Sequence, residues 1–189
     1  MGQDKSRLVI GGVTLAQRAI RTLSTVCSKV STVGGDRVEN VPRIEDSIGL
    51  NEPNQKAAIV GLYAALSNSE SEWSAVLACD LPFVTPELFR LLILKARSIP
   101  PTTNVIVPVQ PDSRLQPLCG LYRTKDCVPL VETAIGEGKL KVGEILDRLG
   151  WMSVDQNEIS CLEDSKDLFV NINTPDDLKH AREIRNAAN

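Results

Sequence analysis

Helix and strand signals alternate along the whole length of this chain, and that alternation is the strongest constraint on its fold. Thr14 can cap a helix running to about Ser28, with Leu15, Ala19, Leu23 and Val26 at helical spacing. Lys29 to Val33 reads as a short strand ending in the turn cluster Gly34-Gly35-Asp36, and Val41 to Glu45 as another, broken by Pro42. Gln55 to Ser67, rich in Ala and Leu, reads as a helix. Ser74-Ala-Val-Leu-Ala-Cys79 is a near-continuous apolar run of the kind found in buried parallel strands, and it ends in Asp80-Leu81-Pro82. Thr85-Pro86 opens a helix to about Arg97, with Thr85 as cap and Pro86 in the first position. Asn104 to Val109 and Leu115 to Tyr122 read as strands around the turn Pro111-Asp112-Ser113. Thr124 to Ile135 and Lys141 to Leu149 read as helices, Trp151 to Val154 and Leu168 to Val170 as short strands, and Pro175 to Arg185 as a last helix capped by Thr174.

Such a pattern predicts an α/β domain with a mostly parallel sheet and helices on both faces. The 189 residues show no repeat, low-complexity tract or linker, so one domain over 1–189 is expected. With 21 basic and 24 acidic side chains, the chain lacks the cationic footprint of a nucleic-acid binder. No apolar run approaches the ~20 residues of a spanning helix, and the charged start Met1-Gly2-Gln3-Asp4-Lys5 does not read as a signal peptide. The cysteines Cys27, Cys79, Cys119, Cys127 and Cys161 fit no zinc or redox spacing. They read as reduced, mostly buried small hydrophobes, and the expected setting is cytoplasmic. A single histidine, His180, without a motif around it, argues against multi-histidine metal sites and Ser-His-Asp chemistry.

Ligands of open α/β sheets bind beyond the carboxyl ends of the strands. Asp80, directly after an apolar strand, is therefore the leading candidate. Its carboxylate suits a hard cation such as Mg²⁺, completed by waters and substrate phosphates; the alternative is a cap for the following turn. Glu45-Asp46 also ends a strand-like segment and reads either as a ligand cluster or as a solvated loop. Lys5 could set a point charge against phosphate oxygens, or be a surface lysine. Asn171 and Asn173, one residue apart, would face the same side of extended backbone, toward a ligand or within a plain capping turn. Arg114 and Gln116 would share one strand face.

Taken in order, these pieces resemble the molybdenum cofactor guanylyltransferase family. Met1-Gly2-Gln3-Asp4-Lys5 is similar to the end of its signature Leu-Ala-Gly-Gly-x-Ser-x-Arg-Met-Gly-x-Asp-Lys. Ile44-Glu45-Asp46-Ser47, Cys79-Asp80-Leu81-Pro82-Phe83, Arg114-Leu115-Gln116-Pro117-Leu118 and Asn171-Ile172-Asn173-Thr174-Pro175 resemble its later motifs. The resemblance implies a Rossmann-like nucleotidyltransferase fold. It implies transfer of GMP from GTP to molybdopterin carrying molybdenum, with release of pyrophosphate. Lys5 and Asp80 would be catalytic; Lys5, Asp46 and Asp80 would bind nucleotide, Asp80 would hold Mg²⁺, and Asn171 and Asn173 would lie toward the pterin. Molybdoenzymes or cofactor-delivery proteins are the implied partners. Alternatives are cytidylyl transfer to the same pterin and a non-catalytic relative that binds the cofactor or a partner.

Two departures bear on these expectations. The sequence begins at the Met of the signature, so the preceding strand and phosphate-wrapping loop are expected to be missing and GTP binding to be weak; a late start codon or a truncated copy would explain it. The family's Gly-Pro-Leu-x-Gly segment aligns with Ala57-Ala58-Ile59-Val60-Gly61, where alanines let a helix begin earlier. Gly34-Gly35 also stands where the family often places a polar side chain near the base.

Overall fold

In Val105-Ile106-Val107, alternate side chains enter two different cores, and this period of two organises the molecule. The computed structural model describes residues 5–45 and 57–187. After a 3-10 turn at Lys5–Arg7, β1 (Val9–Ile10) and β2 (Val13–Thr14) form a small antiparallel hairpin. There follow α1 (Leu15–Ser24), β3 (Thr32–Val33), β4 (Arg43–Ile44), α2 (Ala58–Ser67), β5 (Trp73–Leu77) and α3 (Pro86–Ala96). Next come β6 (Val105–Pro108), β7 (Cys119–Arg123), α4 (Thr124–Gly136), α5 (Leu146–Leu149), β8 (Trp151–Val154), α6 (Gln156–Ser160) and α7 (Pro175–Ala187).

The main sheet has the order β5-β7-β6-β8. β6 and β8 pair in parallel, whereas β7 runs antiparallel to both β5 and β6. The sheet is therefore mixed, with β7 inserted against the direction of its neighbours. The cause is the turn around Asp112, which folds the chain back beside β6 instead of sending it across a helix. Val105, Val107 and Tyr122 pack with α2, α4 and α5 on one face. Ile106, Cys119, Leu121 and Val154 pack with α3 and Ile159 on the other. Fully burying each such Leu, Ile or Phe contributes roughly 1.5–3 kcal/mol. Trp73 opposes Arg123 in the register, and the guanidinium carbon lies 4.7 Å from the ring centroid.

Gly120 is fixed by close approach rather than by turn geometry. A Cβ there would stand 2.7 Å from the Ile106 carbonyl oxygen and 3.0 Å from Val107 Cγ1. Gly120→Ala is expected to lower stability by about 1–3 kcal/mol through overpacking, read as a lower midpoint in urea unfolding.

Thr14 caps its helix as expected, whereas Thr85 holds the position before α3 without a side-chain capping hydrogen bond to it. Thr14 accepts from the Gln17 amide while the Gln17 side chain accepts from the Thr14 amide, a reciprocal capping box. The helix stops at Ser24, four residues short of expectation, because the amides of Val26 and Cys27 both turn back onto the Leu23 carbonyl. α2 begins directly at Ala58, so 58–61 is helix and not loop. Lys141–Leu149 divides into a 3-10 turn and the short α5. Leu168–Val170 is a turn, not a strand: the Val170 amide closes onto the Asp167 carbonyl. Of the five cysteines, only Cys119 and Cys127 are buried, and burial pushes the Cys127 thiol up to about 12. Among the described residues no helix is long and apolar enough to cross a membrane.

One expectation fails for an informative reason. β5 is apolar, yet all five of its residues are only half-buried and, among the described residues, it pairs with β7 alone. β3 and β4 form a separate parallel pair. Between β3 and β5 runs a slot of about 410 Å³, walled by Ala16, Ala19 and Ile20 of α1 and by Gly61 and Leu62 of α2. A second void of about 320 Å³ continues along Val30, Trp73 and Leu121. The outer edge of β5 faces this slot, which explains its exposure despite its composition.

Candidate active site

The backbone ladder carries one residue past β5, where the Ala78 amide donates to Leu118 O at 2.7 Å, and then turns as Leu81 N reaches Ala78 O at 3.4 Å. Asp80 sits on that turn. Its carbonyl accepts from the Ile172 amide at 2.9 Å, which ties the segment 171–173 to the tip of β5. Ile172 is fully buried with Ile10, Leu15 and Ala181, and this anchor fixes the asparagines on either side of it. Asn173 Oδ1 accepts from Lys5 Nζ at 2.7 Å. Asn171 Oδ1 is buried and has no hydrogen-bond partner among the described residues.

The N-terminus of α7 closes the arrangement. The Asp177 carboxylate accepts from the amides of Asn173 at 2.8 Å and Thr174 at 2.7 Å, and Thr174 Oγ1 accepts from the Asp177 amide at 3.2 Å. This reciprocal capping box holds Asn173 in register with Lys5. Sequence reasoning missed Asp177, although the Thr174-Pro-Asp-Asp177 spacing was the signal for it.

The electrostatics are those of a small charge cluster. Burial pushes the Asp80 carboxyl above the ordinary aspartate range, and the Lys5 ammonium opposes that rise. The backbone donors of Asn173 and Thr174 hold Asp177 below its ordinary range, with a smaller contribution from Lys5. A lysine, a partly desolvated carboxylate and two amide groups from three distant segments thus meet at a strand's carboxyl end. They can grip phosphate oxygens and a hard cation together.

Other candidates fall elsewhere. Asp46 lies outside the described residues. Glu45 pairs with Arg43 and is exposed. Arg114 does not share a strand face with Gln116 in the site: its Nε donates to Asp112 Oδ2 at 2.6 Å within the exposed turn, a local pairing that needs no sheet. His180 is exposed on α7.

The residues fit Mg²⁺ as the implied metal. Asp80, a half-buried carboxylate beyond the strand end, is an oxygen donor of the kind a hard cation requires. Among the described residues no group of three His, Cys, Asp or Glu forms a closed cage, so an ion held here would be completed by water and substrate oxygens.

Comparison with known proteins defines the class. Among solved structures, molybdopterin-guanine dinucleotide biosynthesis protein A from Archaeoglobus fulgidus matches with a TM-score of 0.74 and 26% identity, covering 98% of this chain and 92% of that one. The 2-C-methyl-D-erythritol 4-phosphate cytidylyltransferase from Thermus thermophilus shares the fold, with a TM-score of 0.71 at 16% identity over 98% of this chain and 95% of that one. The molecule is an α/β nucleotidyltransferase in architecture. A family model described as MobA-like NTP transferase domain matches residues 1–150. A probable molybdenum cofactor guanylyltransferase from Pelotomaculum thermopropionicum is 30% identical over 182 residues, covering 96% of this chain and 85% of the relative. Another, from Aquifex aeolicus, is 30% identical over 185 residues, covering 98% and 85%. The chain belongs to the MobA-like NTP transferase family.

Proposed function

We propose that this chain transfers GMP from GTP to the terminal phosphate of molybdopterin carrying molybdenum, forming the guanine dinucleotide and releasing pyrophosphate. The observation that carries the reading is the meeting of Lys5, Asp80 and Asn173 at the end of β5, joined by the 2.7 Å Lys5–Asn173 hydrogen bond. The names of the relatives support the choice of substrates.

The acceptor phosphate is anionic at neutral pH, so its attack on the α-phosphorus requires no general base. The chain's work is in-line positioning and charge compensation. Lys5 sets its ammonium against the phosphates, and Asn173 orients that ammonium. Asn171 and Asn173 face the pterin side, while Asp46 contributes to nucleotide binding. Asp80 would hold Mg²⁺, which supplies charge neutralisation on the phosphate oxygens when bound.

The test is acceptor-dependent pyrophosphate release with GTP and CTP in competition. Preferential use of GTP is the expected result. Preference for CTP would replace the base while keeping the reaction. Pterin binding without turnover on either nucleotide would overturn catalysis in favour of a binding role.

A further inference from the structure

The C-terminal half of α7 and the exposed side of α1 line a third cavity, of about 680 Å³, beside the β1–β2 turn. Arg18, Arg21, Arg185 and Lys166 line it against only two carboxylates, Asp164 and Asp167. Arg18 and Arg185 are crowded together: a Cβ on Gly11 would stand 3.4 Å from Arg18 Nη2 and 3.4 Å from Arg185 Nε. Gly11, at φ +55°, leaves the room both guanidiniums occupy. Arg18 Nη2 donates to the Ile10 carbonyl at 2.6 Å, but Arg18 Nε and Arg185 Nε are buried without an acceptor. Among the described residues none of these three arginines has a carboxylate within 4.0 Å. Burial, and then the charges of Arg185 and Arg21, hold Arg18 below its ordinary basicity.

We propose that this cavity is a binding site for a small phosphate-bearing anion, separate from the candidate active site. Like charges packed together with unused N–H donors lack an acceptor, and a phosphate supplies several oxygens in the geometry a guanidinium fork matches. The concave volume is that of a small-molecule site, not of a flat protein contact. One wall of the cavity is Pro82 to Pro86, just after the Asp80 turn, whereas Arg185 lies ten residues along α7 from Pro175, roughly 15 Å at helical rise, so the arginine cluster sits away from Asn173 and its Lys5 partner. A ligand bridging α1 and α7 stabilises the helix whose other end positions Asn173. The inference does not rest on the proposed reaction.

The probe is inorganic pyrophosphate, without divalent cation, titrated calorimetrically into Lys5→Met so that the other phosphate site is disabled. Saturable binding of one equivalent and a raised Tm are expected. Arg185→Gln and Arg18→Gln should each weaken it at least tenfold. Arg21→Gln, at an exposed position where substitution should leave the fold intact, should weaken it severalfold and serves if the other two fail to fold. Undiminished binding in Arg185→Gln and Arg21→Gln would overturn the site. So would a Tm gain reproduced by sodium chloride at the same ionic strength, which would mark nonspecific screening.

Discussion

Asp80→Asn should reduce nucleotidyl transfer on the order of 100-fold or more while leaving the protein at least as stable as the parent. The rate loss follows from removing a fixed charge from a partly desolvated site, where electrostatic groups commonly contribute that much. The stability expectation has the opposite sign. Burial raises the Asp80 carboxyl above its unfolded value, so the charged form is disfavoured by folding. That penalty is fully present above the folded value and is relieved as pH falls through it. The amide carries no such penalty and keeps the backbone bond from Ile172 to the residue 80 carbonyl, which is independent of the side chain. The Tm of the variant should therefore equal or exceed the parent's at neutral pH, and any excess should shrink toward acid. Unchanged turnover with a lowered Tm would make Asp80 a turn cap and nothing more.

Lys5→Met should lower kcat/KM by a comparable factor and also displace its pH profile. Lys5 is the positive charge that offsets burial at Asp80. Without it the carboxyl retains its proton to higher pH, so the acid limb should move upward. Lys5→Arg keeps the charge and should leave the limb near its original position even where the rate falls. A limb that does not move in Lys5→Met, measured as kcat/KM across the acid range, would separate the two residues functionally. A merely structural role for Lys5 would change rate or stability without that displacement.

Much of this was legible in the sequence wherever local chemistry decides structure. Thr14 and Thr174 announce their helices because capping depends on a few adjacent residues. Asp80 at the end of an apolar run is legible for the same reason. Its meeting with Lys5 and Asn173 was expected from the family resemblance alone and not from local chemistry, because residue 5 and residue 173 are brought together by tertiary packing around Ile172. Arg114 misled because its nearest carboxylate, two residues away in the same turn, competes with any more distant role. The direction of β7 was hidden too: Cys119–Arg123 is apolar enough for either orientation, and only the return at Asp112 selects antiparallel. The Arg18–Arg185 cluster likewise joins residues far apart in the chain.

The interruption between β3 and β5 also bears on how the molecule comes apart. A continuous sheet links its strands into one cooperative unit through successive hydrogen bonds, but here no such bond crosses the middle among the described residues. Among the described residues, α1 and α2 wall the gap between the β3–β4 pair and β5. Opening of the β3–β4 pair is therefore expected to cost less than global unfolding, read as faster hydrogen exchange at the amides of Thr32 and Gly34 than at those of β6 and β7.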